Sequence, residues 1–178
     1  MIKNKKELKK IISYEKQLYR RIGYKNTLNS IISNSEIGYI FRYIKLLRMD
    51  EYYSNTNKKI RRNIIRRRRN KLGLLLGMNI PINTFQEGLL IYHSNGNVVN
   101  KNARVGKNCK IHGNICIGNN GISEDTPIIG DNVDIGIGAK IIGKVQIANN
   151  IRIGANSVVT KSFTKENTVI AGIPAKVI

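Results

Sequence analysis

The chain has 178 residues, with 31 Lys+Arg against 11 Asp+Glu and a formal net charge of +20. That length fits one compact domain with an attachment. No apolar run approaches the roughly 18 residues that span a bilayer, and no cleavable leader pattern follows Met1-Ile-Lys-Asn-Lys-Lys, so a cytoplasmic protein is expected. Cys109 and Cys116, two cysteines inside the repeat without a metal-ligand spacing, argue against a disulfide framework and read as structural thiols where small apolar residues are wanted.

Residues 1–72 carry 21 of the Lys+Arg but 5 of the Asp+Glu, so the basic excess belongs to the first segment. Leu8, Ile11 and Ile12, and then Ile37, Ile40, Phe41, Ile44 and Leu47, follow i, i+3, i+4 spacing and predict two helices, the second capped by Asn34 or Ser35. Ile60, Ile64 and Ile65 suggest a third, with Arg66–Arg69 on its wet side. These helices are expected to cap the open edge of whatever follows. The arginine run reads as a solvated face, or as attraction to an acidic glycan or an anionic membrane surface. Nucleic acid is not an expected partner, because the rest of the chain offers no stacking platform.

From Val99 to Val159 every sixth residue is aliphatic except Ser123: Val99, Val105, Ile111, Ile117, Ser123, Ile129, Ile135, Ile141, Ile147, Ile153, Val159. Ser123 lies in the polar stretch Ile122–Pro127, which reads as a loop. Four residues after each aliphatic comes a second small or apolar residue, such as Ala103, Cys109, Ile115, Val133 and Ala139. A period of six fits neither a helix nor a two-sided strand. It fits a coil of short strands that turns a corner about every six residues, with Gly expected to supply the tight or left-handed corners. Coils stacked at about 4.8 Å pair every backbone group above and below and pile the inward residues into columns. The fold class is therefore mainly β, a parallel β-helix over residues 73–178 behind a basic α-helical segment over 1–72.

The frame breaks once near its start, where Ile91 to Val99 is eight residues rather than six. Two extra residues lift His93 and its neighbours Ser94, Asn95 and Gly96 off the prism wall. His112, the second histidine, follows 19 residues later, close to the about 18 of one three-sided coil, so both histidines are expected on nearly the same edge. A lone histidine can be a satisfied structural one. An irregularity in a strict repeat is instead where function is to be sought.

The repeat resembles that of the hexapeptide-repeat acyltransferases, whose motif reads aliphatic-Gly-x-x-small-x. The closest likeness is to serine-acetyltransferase-like enzymes, including the polysaccharide O-acetyltransferase kind. It is carried by Asn83-Thr-Phe85, Tyr92-His93-Ser-Asn-Gly96, Ile129-Gly-Asp-Asn-Val133, Ile153–Lys161 and Ala171-Gly-Ile-Pro-Ala-Lys176. The resemblance implies a left-handed β-helix, a homotrimer, acetyl-CoA as co-substrate and no metal. It also implies that His93, in Tyr92-His93-Ser-Asn-Gly96-Asn-Val98-Val99, is the catalytic base. Imidazole suits that task, since it can take a proton from an acceptor hydroxyl and return it to a leaving thiolate.

The acidic residue that orients the base in those enzymes aligns with Asn79, with Glu87 as a substitute. Their acceptor-binding aspartate is replaced by Tyr92, and a second acceptor-side histidine by Thr126. Tyr92, Asn95 and His112 are the candidate acceptor-binding residues. Ile137, Gly138, Ala155, Thr160, Lys161 and Lys176 are the candidate coenzyme A contacts. An aromatic Tyr92 suits a sugar face, so the leading expectation is acetyl transfer to a sugar hydroxyl of a capsular or other cell-surface polysaccharide or its precursor. Serine O-acetylation and a non-catalytic trimeric scaffold with a basic arm are the alternatives. A zinc enzyme of this fold needs three histidine ligands, and two per chain do not suffice.

Overall fold

The structure, a computed structural model, describes the backbone of residues 1–178 and the side chains of all but Thr27, Ser30 and Ile31. Four helices come first: α1 (Lys5–Arg21), α2 (Thr27–Ile32), α3 (Glu36–Asn55) and α4 (Lys59–Leu76). The short α2 was not expected from periodicity. Helix α1 starts at Asn4, whose side chain accepts from the Glu7 N–H, and α4 ends at Gly77 in the left-handed conformation. Ser35 stands at the N-cap of α3, but its side chain makes no capping bond.

The strands then wind in coils. The first coil holds β1 (Met78–Asn79), a bridge at Phe85 and β2 (Leu90–Ile91). The second holds β3 (Asn97–Val99), β4 (Arg104–Val105) and β5 (Lys110–Ile111), and the third β6 (Cys116–Gly118), β7 (Ile128–Ile129) and β8 (Asp134–Ile135). The fourth holds β9 (Lys140–Ile142), β10 (Gln146–Ile147) and β11 (Arg152–Ile153). The last has β12 (Val158–Val159), a bridge at Phe163 and β13 (Val169–Gly172), and β14 (Ala175–Val177) folds back antiparallel to close the stack. Pairing is parallel between coils and gives three faces: β1-β3-β6-β9-β12, β4-β7-β10 and β2-β5-β8-β11-β13. These are the three sides of the prism that the six-residue period demands.

The inward residues stack in register. Ile91, Ile111, Ile135, Ile153 and Ile170 form one column, and Val99, Ile117, Ile141 and Val159 another. All are buried, each worth about 1.5–3 kcal/mol of transfer free energy. The second small-residue row, including Ala103, Cys109, Ile115, Val133 and Ser157, is buried too. Ser123 lies, as expected, in a loop between β6 and β7, with Ile122 exposed beside it.

The corners bear out one expectation and add to it. Glycine has positive φ at Gly88, Gly96, Gly113, Gly121, Gly138 and Gly143, and asparagine shares the left-handed positions about equally: Asn95, Asn108, Asn114, Asn132, Asn150, Asn156 and Asn167 all have positive φ. Their side chains also pair from coil to coil, Asn108 with Asn132 and Asn132 with Asn150 at 3.0 Å. The glycines that follow the aliphatics have another task. A Cβ on Gly136 would sit 2.7 Å from the Ala155 nitrogen and the Ile153 oxygen of the next coil.

The helices cap the first coil with side chains. Glu15 accepts from the N–H groups of Gly88 and Leu89, Tyr19 from Ile91, Glu51 from Asn83, and Tyr43 from Ile80. Arg48 donates to the carbonyls of Phe85 and Gln86 while bound to Glu15 and Glu51. Each bond satisfies a strand-edge group that would otherwise be orphaned. Tyr19, Ile40, Phe41, Ile44 and Leu47 share one apolar cluster with the coils, so the helices and the prism have a continuous core.

Helix α4, the third that periodicity predicts, differs from expectation on two counts. Ile65 is buried, but Ile60 and Ile64 are exposed. Arg62 and Arg69 turn inward to the buried Asp50, with Arg69 at 3.0 Å. The arginine run is therefore split, and Arg66–Arg68 alone face solvent.

Candidate active site

Strand register locates the break in the repeat. Ile91 pairs with Ile111 and Val98 with Cys116, so seven steps in the first of these coils stand against five in the next. The two extra residues form the bulge 92–96. Buried Asn97 holds it from inside: its amide donates to the His93 carbonyl at 3.0 Å and its oxygen accepts from the Ile115 N–H. Gly113, at φ +115°, gives the room, since a Cβ there would lie 3.1 Å from the His93 Cβ. The His93 side chain consequently stands out from the wall with 64% of its surface exposed.

The imidazole is not held by Asn79. That residue is exposed on β1 and makes no hydrogen bond to His93 among the described residues. Nor does Glu87 reach it, being paired with Lys107 at 3.3 Å. The carboxylate at the imidazole is Glu36, the first residue of α3. Its Oε2 is 3.3 Å from His93 Nδ1, and its Oε1 accepts from both the N–H and the hydroxyl of Ser94 at 2.8 Å. Burial pushes the Glu36 carboxyl up, but the Ser94 and His93 hydrogen bonds outweigh it and hold the group below its ordinary value. A carboxylate at Nδ1 fixes the proton there and leaves Nε2 as the acceptor. Nothing in the coil motif points to Glu36, which lies 57 residues before His93. The available signal was scarcity, an acid standing in a segment that is otherwise strongly basic.

Tyr92 and His112 meet on adjacent coils. Their rings stack with centroids 4.5 Å apart and planes within 9°. His112 Nε2 lies 2.8 Å from Asp134 Oδ1, a partner that the sequence reading also missed. One face of Tyr92 is therefore already covered. Asn95 sits at the exposed tip of the bulge with φ +59°, its N–H donating to the Leu76 carbonyl at 2.8 Å.

The candidate coenzyme A contacts fall on more than one corner. Ile137 and Gly138 follow β8 and Ala155 follows β11, at the corner that carries His112 one coil before β8 and His93 two coils before it. Ile137 is exposed and the Ala155 N–H has no backbone partner among the described residues. The Gly138 N–H already donates to the Gly113 carbonyl, so only its carbonyl is open to a ligand. Thr160 and Lys161 follow β12, at the other end of that face, with Lys161 Nζ 5.6 Å from the Phe163 ring centre. Lys176 is exposed on β14. Among the described residues no three His, Cys, Asp or Glu side chains gather into a metal site.

No protein-family model matches the chain. The serine acetyltransferase of Synechococcus elongatus is 39% identical over 108 residues, 59% of this chain and 44% of that protein. That of Staphylococcus xylosus is 40% identical over 92 residues, 51% of this chain and 42% of its own. The chain thus spans less than half the length of these relatives. Among solved structures, a serine acetyltransferase from Brucella abortus in complex with coenzyme A superposes with a TM-score of 0.76 at 26% identity, covering 98% of this chain and 68% of that one. Soybean serine acetyltransferase complexed with serine gives 0.67 at 26% identity, covering 79% and 57%. These names match the alternative acceptor reading from the sequence rather than the leading one. Likeness in sequence over 108 residues and in fold along nearly the whole chain agree: the chain is serine-acetyltransferase-like, with the left-handed hexapeptide-repeat acyltransferase fold.

Proposed function

We propose that the chain is an O-acetyltransferase that uses acetyl-CoA and His93 as general base. One observation carries this reading: an exposed imidazole with a carboxylate at Nδ1 and a free Nε2, at the corner that also carries Ile137, Gly138 and Ala155. Acetyl-CoA, when bound, supplies a thioester carbonyl. His93 Nε2 takes the acceptor's hydroxyl proton as attack occurs and delivers it to the departing thiolate. Glu36 holds the ring and stabilises its charged form. The unpaired Ala155 N–H is a donor available to the ligand at this corner. Thr160 and Lys161, one face away, would meet a different part of the same long molecule, or a molecule held by a second copy of the chain.

The names of the relatives favour serine as acceptor, and Asp134 offers a carboxylate near the corner for its ammonium group. A sugar hydroxyl of a cell-surface polysaccharide remains the second reading on one specific observation. Tyr92, flat against His112, replaces the aspartate that would serve an amino acid. A homotrimer is part of the proposal. The face made by β3, β6, β9 and β12 points the row Val98, Cys116, Lys140 and Val158 outward, with one cation in it and Ile142 beside it, a more apolar row than Lys110, Asp134 and Arg152 on the neighbouring face.

The test is coenzyme A release from acetyl-CoA with serine and with neutral and acidic oligosaccharides. His93→Ala is expected to lower turnover by roughly 10²–10⁴-fold with acetyl-CoA binding retained. Turnover that survives this change overturns the base assignment, and no acetyl-CoA binding by the native protein leaves the scaffold.

A further inference from the structure

Helix α4 has an outward face that the fold does not use. Ile60, Ile64, Leu74 and Leu75 are 79%, 51%, 86% and 72% exposed. At 100° per residue they fall with Arg67 and Lys71 on one stripe, within about 60° of a common line, and Arg61 and Arg68 run along one border. The inward side is occupied by Ile65, Leu76, Gly73 and the two arginines that face Asp50. No acidic residue occurs in the 18 residues of the helix.

We infer that this face docks on an anionic lipid bilayer. Four exposed aliphatics among unpaired cations are the composition of an interfacial helix: the apolar side chains enter the acyl boundary and the basic ones meet phosphate headgroups. Charge excludes the other occupants. A second copy of α4 would set arginine against arginine across the contact, with no acid on either helix to relieve it. A soluble acidic glycan would meet the cations but give the isoleucines and leucines nothing apolar to cover them. The face also adjoins the candidate site. The Asn95 and Gly96 N–H groups donate to the carbonyls of Leu76 and Gly77 at the end of α4, so docking brings the His93 bulge to the membrane surface. This placement suits an acceptor presented at a bilayer, and to that extent it rests on the transferase reading; binding itself does not.

The experiment is co-sedimentation of the full chain with phosphatidylglycerol–phosphatidylcholine vesicles and with pure phosphatidylcholine vesicles. Binding to the anionic vesicles alone is expected. Arg67→Gln/Arg68→Gln should weaken it by about thirtyfold, from about a fivefold contribution per cation at the surface. Ile60→Ser/Ile64→Ser should weaken it by about tenfold, since apolar insertion is lost. All four side chains are exposed, so both variants should melt as the native chain does. Equal binding to the two vesicle types overturns the proposal. So does undiminished binding by the isoleucine variant, which would make the face a general polyanion surface. An oligomer that shrinks in the isoleucine variant would instead assign the face to a second copy.

Discussion

Replacing Glu36 by Gln tests the carboxylate–imidazole pair directly. Gln keeps an oxygen to accept from Ser94, so the link between α3 and the bulge survives. What disappears is one negative charge 3.3 Å from His93 Nδ1. At that distance a unit pair is worth ~1.3 kcal/mol at the permittivity of water and ~5 kcal/mol at an effective value of 20. The side chains of His93 and Glu36 are 64% and 46% exposed, which places the pair near the weaker limit. A loss of about 1–2 kcal/mol of transition-state stabilisation corresponds to roughly 5- to 30-fold in kcat. The Gln amide can also donate to Nδ1 and force the proton onto Nε2, which would deepen the loss. Steady-state kinetics at neutral pH should therefore show kcat down by about tenfold or more while KM for acetyl-CoA stays within about twofold. Glu36→Asp should recover part of the rate. A Gln variant with native kcat refutes the reasoning, as does one that changes KM alone.

The capping bonds and the coil contacts give further expectations. Arg48→Met leaves Glu15 and Glu51 buried without their cation and should cost about 3–5 kcal/mol in chemical denaturation. Gly136→Ala drives a methyl into the backbone of the next coil and should cost about 1–3 kcal/mol, whereas Gly118→Ala, whose nearest neighbour is the Cys116 sulfur at 3.9 Å, should stay within about 0.5 kcal/mol. Equal melting temperatures for the two glycine variants would refute the close-approach account. Glu36 has its folded-state titration lowered, so its stabilisation is full above its unfolded value of 4.5 and is lost as pH falls through the lower folded value. Melting curves between pH 3 and 6 should lose that part of their slope in the Gln variant. Tyr92→Asp should raise kcat/KM for serine relative to a neutral oligosaccharide, and an unchanged ratio removes Tyr92 from acceptor choice.

The period of six made the prism legible because each inward position is repeated in register, and a pattern with many copies survives single exceptions such as Ser123. The bulge was legible for the same reason, since two extra residues show only against a strict frame. The corners were read half correctly. Glycine signals both positive φ and close approach, and only the contacts of Gly136 and its counterparts separate the two, while asparagine shares the left-handed positions with glycines such as Gly113 and Gly138. Helix α4 was misjudged in its facing because Ile60, Ile64 and Ile65 match a helical period whichever side the core lies on. Asp50 decides that side by drawing Arg62 and Arg69 inward, and a charge pair between two helices leaves no periodic trace.

The five acids of residues 1–72 show why the orienting carboxylate could not be found by alignment with the coils. Glu7 serves the start of α1, Asp50 takes the α4 arginines, and Glu15, Glu51 and Glu36 all bind backbone N–H groups of the first coil or of the bulge beside it. Glu36 is thus a capping residue by position, and its second oxygen reaches His93 because Ser94 N–H fixes the first. The bulge exposes an unpaired backbone donor at Ser94, a capping acid is required there, and the base next to it gains a carboxylate. The helical cap thus supplies at the imidazole the carboxylate that neither Asn79 nor Glu87 brings there. Stability of the first coil and orientation of the imidazole consequently depend on the same side chain, which is why the Gln variant separates them by charge while preserving the hydrogen bonds to Ser94.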